Sequence, residues 1–163
     1  MELNTYTKYI DTPIGWLKLI ASQDALLEIQ FVDDKGESDV EEINIISQTM
    51  IQLEEYFQGN RKEFALKLAP HGTDFQQKIW QLVKAVPFGE TASYLHVAKQ
   101  SGSEKNTRAV GLANGNNPIP IIIPCHRIIG TNGKLTGYAG GLERKRWLLH
   151  HELSNSAKPN LLF

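Results

Sequence analysis

The stretch "TASYLHVAKQSGSEKNTRAVGLANGNNP", residues 91–118, decides how the chain is read. Its first part has the composition of a short helix ending at Gly102, and its second part that of another helix starting near Ser103. Two short helices joined by a glycine-containing turn predict a helix-turn-helix pair. Helix pairs are common, so the second helix carries the information. At about 100° per residue, Ala109, Val110 and Ala113 share one face, while Arg108, Gly111, Leu112 and Gly115 lie broadly opposite. A mid-helix glycine costs about 1 kcal/mol relative to alanine, so Gly111 calls for a reason. Close packing against another helix is one. The other is a smooth outer face that lets backbone approach a nucleic-acid groove, with Arg108 as its one long projection. A helix reading the major groove presents several hydrogen-bonding side chains to base edges. This face is too bare for that, and fits shape recognition or a minor-groove approach with one inserted side chain. The residues of this helix expected to meet nucleic acid are Arg108, Gly111 and Gly115, with Asn114 as a further candidate.

Charge supports a polyanionic partner for this part of the chain alone. The 163 residues carry a net charge of −1, but unevenly. Residues 1–70 hold six Lys/Arg against thirteen Asp/Glu, and residues 71–163 hold eleven against five, with all five histidines. A basic half beside an acidic one favours nucleic acid only when a motif stands beside it. No apolar run has the length of a membrane span, and "MELNTYTKYI" lacks the apolar region of a signal peptide. One cysteine excludes an internal disulfide and a thiolate zinc cluster, and points to a reducing, cytoplasmic home.

The expected architecture is an α/β N-terminal domain over residues 1–70, a small sheet plus a helix, followed over residues 71–163 by a mostly α domain of winged helix-turn-helix type. "YTKYI", "GWLKLIA" and "ALLEIQFV" read as strands, the first two separated by the turn-like "DTPIG". "DDKGESDVEE" reads as a solvated acidic loop. "SQTMIQLEEYFQG" has helical spacing, with Ser47 as a candidate cap, Ile51, Tyr56 and Phe57 as apolar positions and Gly59 after its end. "EFALKL" alternates like a strand. Pro70-His71-Gly72 is the expected linker, and "TDFQQKIWQLVKAV" starts a helix at Thr73 or Asp74 with Phe75, Ile79, Leu82 and Val83 at helical spacing. "LERKRWLLHHEL" closes the chain as a helix. Glu152 projects there between Leu148 and Leu149, where a carboxylate needs a partner, and Lys145 falls in the same arc. His150 and His151 are about 100° apart, poorly placed to chelate one metal, and read as surface histidines.

The only cysteine lies in "IIIPCHRIIG", residues 121–130. The isoleucines before it read as a strand delivering Cys125 into a pocket, and Pro124, with fixed φ and no N–H, marks where that strand stops being regular. A base, a positive environment or a helix N-terminus can activate a thiol, and His126 and Arg127 qualify by type. Consecutive residues of a regular strand point to opposite faces, which argues against a direct Cys125–His126 contact. The residues alone leave open a reactive thiol or a small buried hydrophobe. Arg127 fits a structural ion pair better than a source of positive field.

"TDFQQKIWQLVKAVPFGETASY", "RAVGLANGNNPIPIIIPCHR", "IPCHRII" and "GYAGGLERKRWLLHHE" together resemble the O6-alkylguanine-DNA alkyltransferases, the methylated-DNA–protein-cysteine methyltransferases, most closely the single-domain bacterial type. The resemblance runs almost continuously from about Thr73 to Leu153; the first seventy residues agree only in general pattern. It implies that Cys125 is the nucleophile that takes the alkyl group from guanine O6. It implies that His126 is its base through a bridging water, and that Glu152 orients that histidine. The base must leave the duplex first: Arg108 matches the arginine that fills the vacated stack, and Tyr94 the tyrosine that assists flipping and donates a hydrogen bond to the guanine ring. Tyr138 would wall the base pocket, the Ala139 N–H would lie near O6, and the carbonyls of Cys125 and Ile128 would read the guanine amino group. Asn117 matches the asparagine that ties the recognition helix to the active-site segment.

The implied reaction ends in a thioether, which no thiol exchanges back, so each molecule acts once. It uses no cofactor and no metal, and needs no protein partner. The expected substrate is double-stranded DNA containing O6-alkylguanine, with O4-alkylthymine as a candidate second substrate, and the expected state is a monomer. The N-terminal zinc site of some relatives is not expected, because no cysteine or histidine precedes His71. Three rivals fit less well. A non-catalytic binder of alkylated DNA would lack the cysteine, a cysteine hydrolase would need no bare basic helix, and a transcriptional regulator would carry base-reading side chains on that helix.

Overall fold

In the computed structural model, which describes residues 4–39 and 41–156, the chain divides into two compact units between His71 and Gly72. The first is a three-stranded antiparallel sheet in the order β1-β2-β3 (Tyr6–Thr12, Gly15–Ala21, Leu26–Val32) with one helix, α1 (Asn44–Phe57). Thr12 pairs with Gly15 across a two-residue turn. Gly15 sits at φ 101°, a conformation open to glycine because a Cβ would clash. Strand β2 alternates as a half-buried strand should, with Leu17, Leu19 and Ala21 turned into the core beside Leu26, Ile45, Leu53 and Tyr56.

Three expectations for this unit change. Helix α1 begins at Asn44 with Ile43 as its N-cap, one turn before Ser47. Ile51 is 51% exposed, because Ile45, Ile46, Thr49, Leu53 and Tyr56 define the buried stripe instead. "EFALKL" forms no strand; a single parallel bridge joins Leu26 to Leu68. The acidic loop Asp33–Asp39 is largely exposed, and its Asp39 side chain accepts from the Thr7 N–H of edge strand β1 at 2.6 Å.

The second unit is helical. Helix α2 (Asp74–Lys84) opens with a reciprocal box: Thr73 Oγ1 accepts from the Gln76 N–H at 3.1 Å and Gln76 Oε1 from the Thr73 N–H at 2.9 Å. Strand β4 (Ala92–Ser93) leads into α3 (Tyr94–Ser101), where Ser93 Oγ caps by accepting from the His96 N–H at 2.9 Å. The second helix of the pair begins later than the sequence suggests: Ser103 caps a 3₁₀ turn, Glu104–Asn106, before α4 runs Thr107–Gly115. Trp80 Nε1 donates to the Ala113 carbonyl at 2.8 Å and Lys78 Nζ to that of Ser101 at 2.6 Å, so α2 holds both helices of the pair from behind. The buried positions of α4 are Val110, Ala113 and Asn114, and Ala109 is exposed.

The isoleucine run is not a strand. Residues 119–123 turn, with the Ile123 N–H donating to the Ile119 carbonyl at 2.9 Å and Ile121 at φ 74°. That region is costly for a β-branched residue, on the order of 1–3 kcal/mol; full burial among apolar neighbours holds it there. A 3₁₀ turn, Cys125–Arg127, follows, then β5 (Ile128–Ile129), which pairs in parallel with β4. Helix α5 (Leu142–Ser154) completes the unit and buries Lys145, Leu148, Leu149, Glu152 and Leu153.

Candidate active site

The short β4–β5 pairing sets the site. Ala92 lies opposite Ile128 and Ser93 opposite Ile129 in parallel, so the pairing ties the segment that enters α3 at Tyr94 to the segment that leaves the Cys125–Arg127 turn. Pro124 caps the turn at φ −82°, ψ 63°, and the Cys125 N–H donates to the Ile123 carbonyl at 2.8 Å. A 3₁₀ turn steps about 120° per residue, so Cys125, His126 and Arg127 point in three directions rather than to two faces.

Cys125 is buried and carries no disulfide. Burial pushes its thiol up to about 11, against smaller opposing contributions from Asn117, Lys145 and nearby backbone. At neutral pH it is a protonated thiol, and it needs a base to react.

His126, Arg127 and Glu152 form one buried cluster. His126 Nε2 lies 2.6 Å from Glu152 Oε2. Arg127 closes a fork on the same carboxylate, Nε to Oε1 at 2.7 Å and Nη2 to Oε2 at 3.0 Å, while its Nη1 donates to the Val86 carbonyl at 2.6 Å. Burial alone would raise the Glu152 pKa; the His126 hydrogen bond and the permanent Arg127 charge outweigh it and hold the carboxyl well below the usual carboxylate range. An ionised carboxylate only accepts, so His126 Nε2 carries the proton and Nδ1 keeps its lone pair. Burial, the largest influence, lowers the His126 pKa despite Glu152, so the imidazole is neutral. Nδ1 is buried and has no hydrogen-bond partner among the described residues. The partner that Glu152's helical position demands is thus a pair, His126 and Arg127.

Asn114 and Asn117 fasten the cysteine segment. Asn117 Nδ2 donates to the Ile123 carbonyl at 2.7 Å and its Oδ1 accepts from the Ile119 N–H at 2.9 Å. Asn114 does not face outward as the DNA-contact expectation required: it is 5% exposed, and its Nδ2 donates to the Cys125 carbonyl at 3.2 Å. That bond offsets part of the cost of burying the amide, whose Oδ1 is buried without a hydrogen-bond partner among the described residues.

A cleft of about 540 Å³ opens beside this cluster, lined by Tyr94, Thr107, Gly111, Gly115, Thr136, Gly137, Tyr138 and Ala139. Burial raises the Tyr138 phenol well above its ordinary pKa, with Cys125 and Glu152 adding to the effect, so it stays protonated. On α4, Arg108, Leu112 and Gly115 are exposed. A Cβ built at Gly111 would meet only Tyr94 Cδ1, at 4.0 Å, and one at Gly115 nothing within 4 Å. Packing inside the protein therefore does not demand either glycine.

Sequence reasoning passed over Lys145 and Thr136. Fully buried Lys145 donates to the carbonyls of Ile128 at 2.7 Å and Thr136 at 3.0 Å; burial lowers its pKa to about 8, with Cys125 acting in the opposite direction. Its place in the Glu152 arc of α5 was the one available signal. Among the described residues no group of three or more His, Cys, Asp or Glu is placed to hold a metal, and no helix is long and apolar enough to cross a membrane.

A lone buried cysteine in the same turn as an imidazole paired with a carboxylate, on a helix-turn-helix unit, defines a protein with a thiol set for chemistry beside a bare helix. Residues 5–70 match the family model described as 6-O-methylguanine DNA methyltransferase, ribonuclease-like domain, and residues 74–154 match that protein's DNA binding domain. The methylated-DNA–protein-cysteine methyltransferase of Methanosarcina acetivorans is 46% identical, over 90% of this chain and 97% of the relative. The crystal structure of the Mycobacterium tuberculosis O6-methylguanine methyltransferase superposes with a TM-score of 0.85 at 43% identity, covering 94% of this chain and 95% of the other. That organism's enzyme in complex with DNA gives 0.84 at 44% identity, covering 94% and 96%. The chain belongs to the methylated-DNA–protein-cysteine methyltransferase family.

Proposed function

We propose that this chain repairs double-stranded DNA by moving the alkyl group of O6-alkylguanine onto its own Cys125, once per molecule. The observation that carries the chemistry is the 2.6 Å contact of His126 Nε2 with the Glu152 carboxylate: an Nε2–H held there leaves the Nδ1 lone pair for the proton of a thiol that burial keeps neutral. A bridging water brings that proton to Nδ1. The S–C bond forms as the C–O6 bond breaks, and the electron pair stays on the guanine. The thiol proton, held on His126, balances the guanine that leaves. Glu152 stabilises the imidazolium, as the carboxylate does in hydrolytic triads.

Recognition rests on α4. Two helical glycines that nothing in the protein requires leave a smooth face, and Arg108 is the long exposed side chain beside it. This suits a minor-groove approach in which Arg108 fills the space of the flipped nucleotide. Tyr94 donates to the guanine ring, Tyr138 walls the pocket, and the Ala139 N–H meets O6. The Ile128 carbonyl accepts from Lys145 and has a second lone pair for the guanine amino group, while the Cys125 carbonyl, which accepts from both Asn114 Nδ2 and the Ile128 N–H, reads that group only as a shared acceptor. The protein works as a monomer in the cytoplasm, with no partner protein.

Intact-mass measurement after mixing with an O6-methylguanine duplex tests the reading. It requires a gain of one methyl group that maps to Cys125 and is lost in Cys125→Ser. An unchanged mass under reducing conditions would overturn it. Arg108→Ala should slow repair in duplex DNA far more than transfer from the free modified base; equal slowing of both would remove the intercalating role.

A further inference from the structure

Thr136 belongs to none of the roles above, yet its hydroxyl touches one of them. Thr136 Oγ1 donates to the Tyr94 hydroxyl oxygen at 2.9 Å, and both residues line the cleft beside α4. The other end of Thr136 is also fixed. Its carbonyl accepts from the Lys145 ammonium at 3.0 Å, and that same ammonium holds the Ile128 carbonyl at 2.7 Å and stands 5.9 Å from the centre of the Tyr94 ring. One buried lysine therefore fixes the loop that carries Thr136, the strand that follows Cys125, and the ring that Thr136 contacts.

A phenol has one proton and can also accept. With Thr136 donating to its oxygen, the Tyr94 proton cannot point at Thr136 and is left for an acceptor in the cleft. Chained hydrogen bonds polarise one another, so the Thr136 donor also steadies charge that builds on the phenolic oxygen as Tyr94 donates.

We infer that Thr136 is a positioning residue for alkyl transfer: it aims the Tyr94 proton into the base pocket, from a loop that Lys145 holds in place. This rests on the alkyl-transfer reading above. In the balanced reaction, the S–C bond forms, the C–O6 bond breaks and the departing guanine takes the electron pair. Thr136 adds or removes no atom; it sets the direction of the hydrogen bond that Tyr94 gives the guanine.

The test is single-turnover methyl transfer from an O6-methylguanine duplex at saturating protein, with Thr136→Val, Thr136→Ser, Tyr94→Phe and the Thr136→Val/Tyr94→Phe pair. Losing one hydrogen bond to a reacting group predicts a rate constant for Thr136→Val about 5- to 10-fold below that of the parent chain. Affinity for an unmodified duplex should not change, and Thr136→Ser should stay within about twofold because it keeps the donor. In the Tyr94→Phe background, Thr136→Val should add no further loss, because the oxygen it serves is gone. Equal slowing by Thr136→Val with and without the Tyr94 hydroxyl, or a serine variant as slow as valine, would overturn the inference and reduce Thr136 to a loop contact. A parent chain that takes up no methyl group would overturn the alkyl-transfer reading itself, a result recognisably different from either.

Discussion

Asn114, on the helix whose outer face is bare, donates its side-chain amide to the carbonyl oxygen of Cys125 at 3.2 Å. The element that would meet DNA and the turn that would meet the alkyl group are thus joined by one buried hydrogen bond. Asn117 adds a second tie, to Ile123, at 2.7 Å. Any shift of α4 on binding is passed directly to the backbone of the cysteine.

Asn114→Ala should therefore affect chemistry and folding more than DNA affinity. It removes one of the two donors to the buried Cys125 carbonyl and leaves the Ile128 N–H, a loss of about 0.5–1.5 kcal/mol, readable as a lower urea midpoint. The single-turnover rate should fall as the turn loosens, while affinity for an undamaged duplex should hold within about threefold, less than a lost hydrogen bond would cost. A large drop in duplex affinity with an unchanged rate would return Asn114 to the DNA-contacting set.

Glu152→Gln should be far more damaging than its size suggests. The amide can turn its NH₂ toward His126 Nε2, which favours the opposite tautomer and puts the ring proton on Nδ1, where the base lone pair is needed. The change also leaves Arg127 buried without its carboxylate, a loss of about 3–5 kcal/mol. The expected result is a transfer rate down by up to about 10⁴, the drop that follows when the carboxylate of a triad is neutralised. Glu152→Asp, which keeps the charge, should retain more activity than the amide. An amide variant as fast as the parent would remove the orienting role.

Gly111→Ala should separate stability from binding. Its Cβ would meet nothing closer than Tyr94 Cδ1 at 4.0 Å, ordinary contact. Replacing a helical glycine then stabilises by about 0.5–1 kcal/mol. The same methyl group stands on the smooth face and should hold a duplex away from the helix. The protein should melt at a higher temperature and bind DNA more weakly. A variant that gains stability and binds as well as the parent would place the duplex elsewhere.

Much of this was legible in the sequence, and the failures share a cause. The Thr73–Gln76 box, the β1–β2 hairpin and the burial of Glu152 follow from local chemistry and angular position, which sequence carries. The isoleucines at 121–123 read as a strand because an apolar run looks alike in any buried segment; nothing in the letters announces Ile121 at φ 74°. Asn114 was turned the wrong way because a hydrophobic pattern counts asparagine as polar, while its acceptor lies eleven residues further on. The Thr136–Tyr94 and Lys145–Ile128 contacts join positions 42 and 17 residues apart, beyond any local rule. Long-range polar pairing is what the fold adds.

The same buried cluster sets how the protein responds to acid. His126 has a pKa lowered from 6.5, chiefly by burial, so the folded state prefers the neutral ring and the unfolded chain binds the proton first. Stability is then present above pH 6.5 and is lost as pH falls from 6.5 toward the lower folded value. Glu152 works in the same direction in a lower window: its pKa is lowered from 4.5 against the opposing effect of burial, by His126 and Arg127, so its contribution is present above pH 4.5 and is lost below. Urea midpoints should fall as pH drops from 7 to 5, then more steeply below 4.5. His126→Gln, which has no ring to charge, should flatten the first part of that curve and keep of the second only the part that Arg127 holds. Parallel curves for the two proteins between pH 7 and 5 would mean that folding does not lower the His126 pKa, and the neutral base assigned to Nδ1 would lose its support.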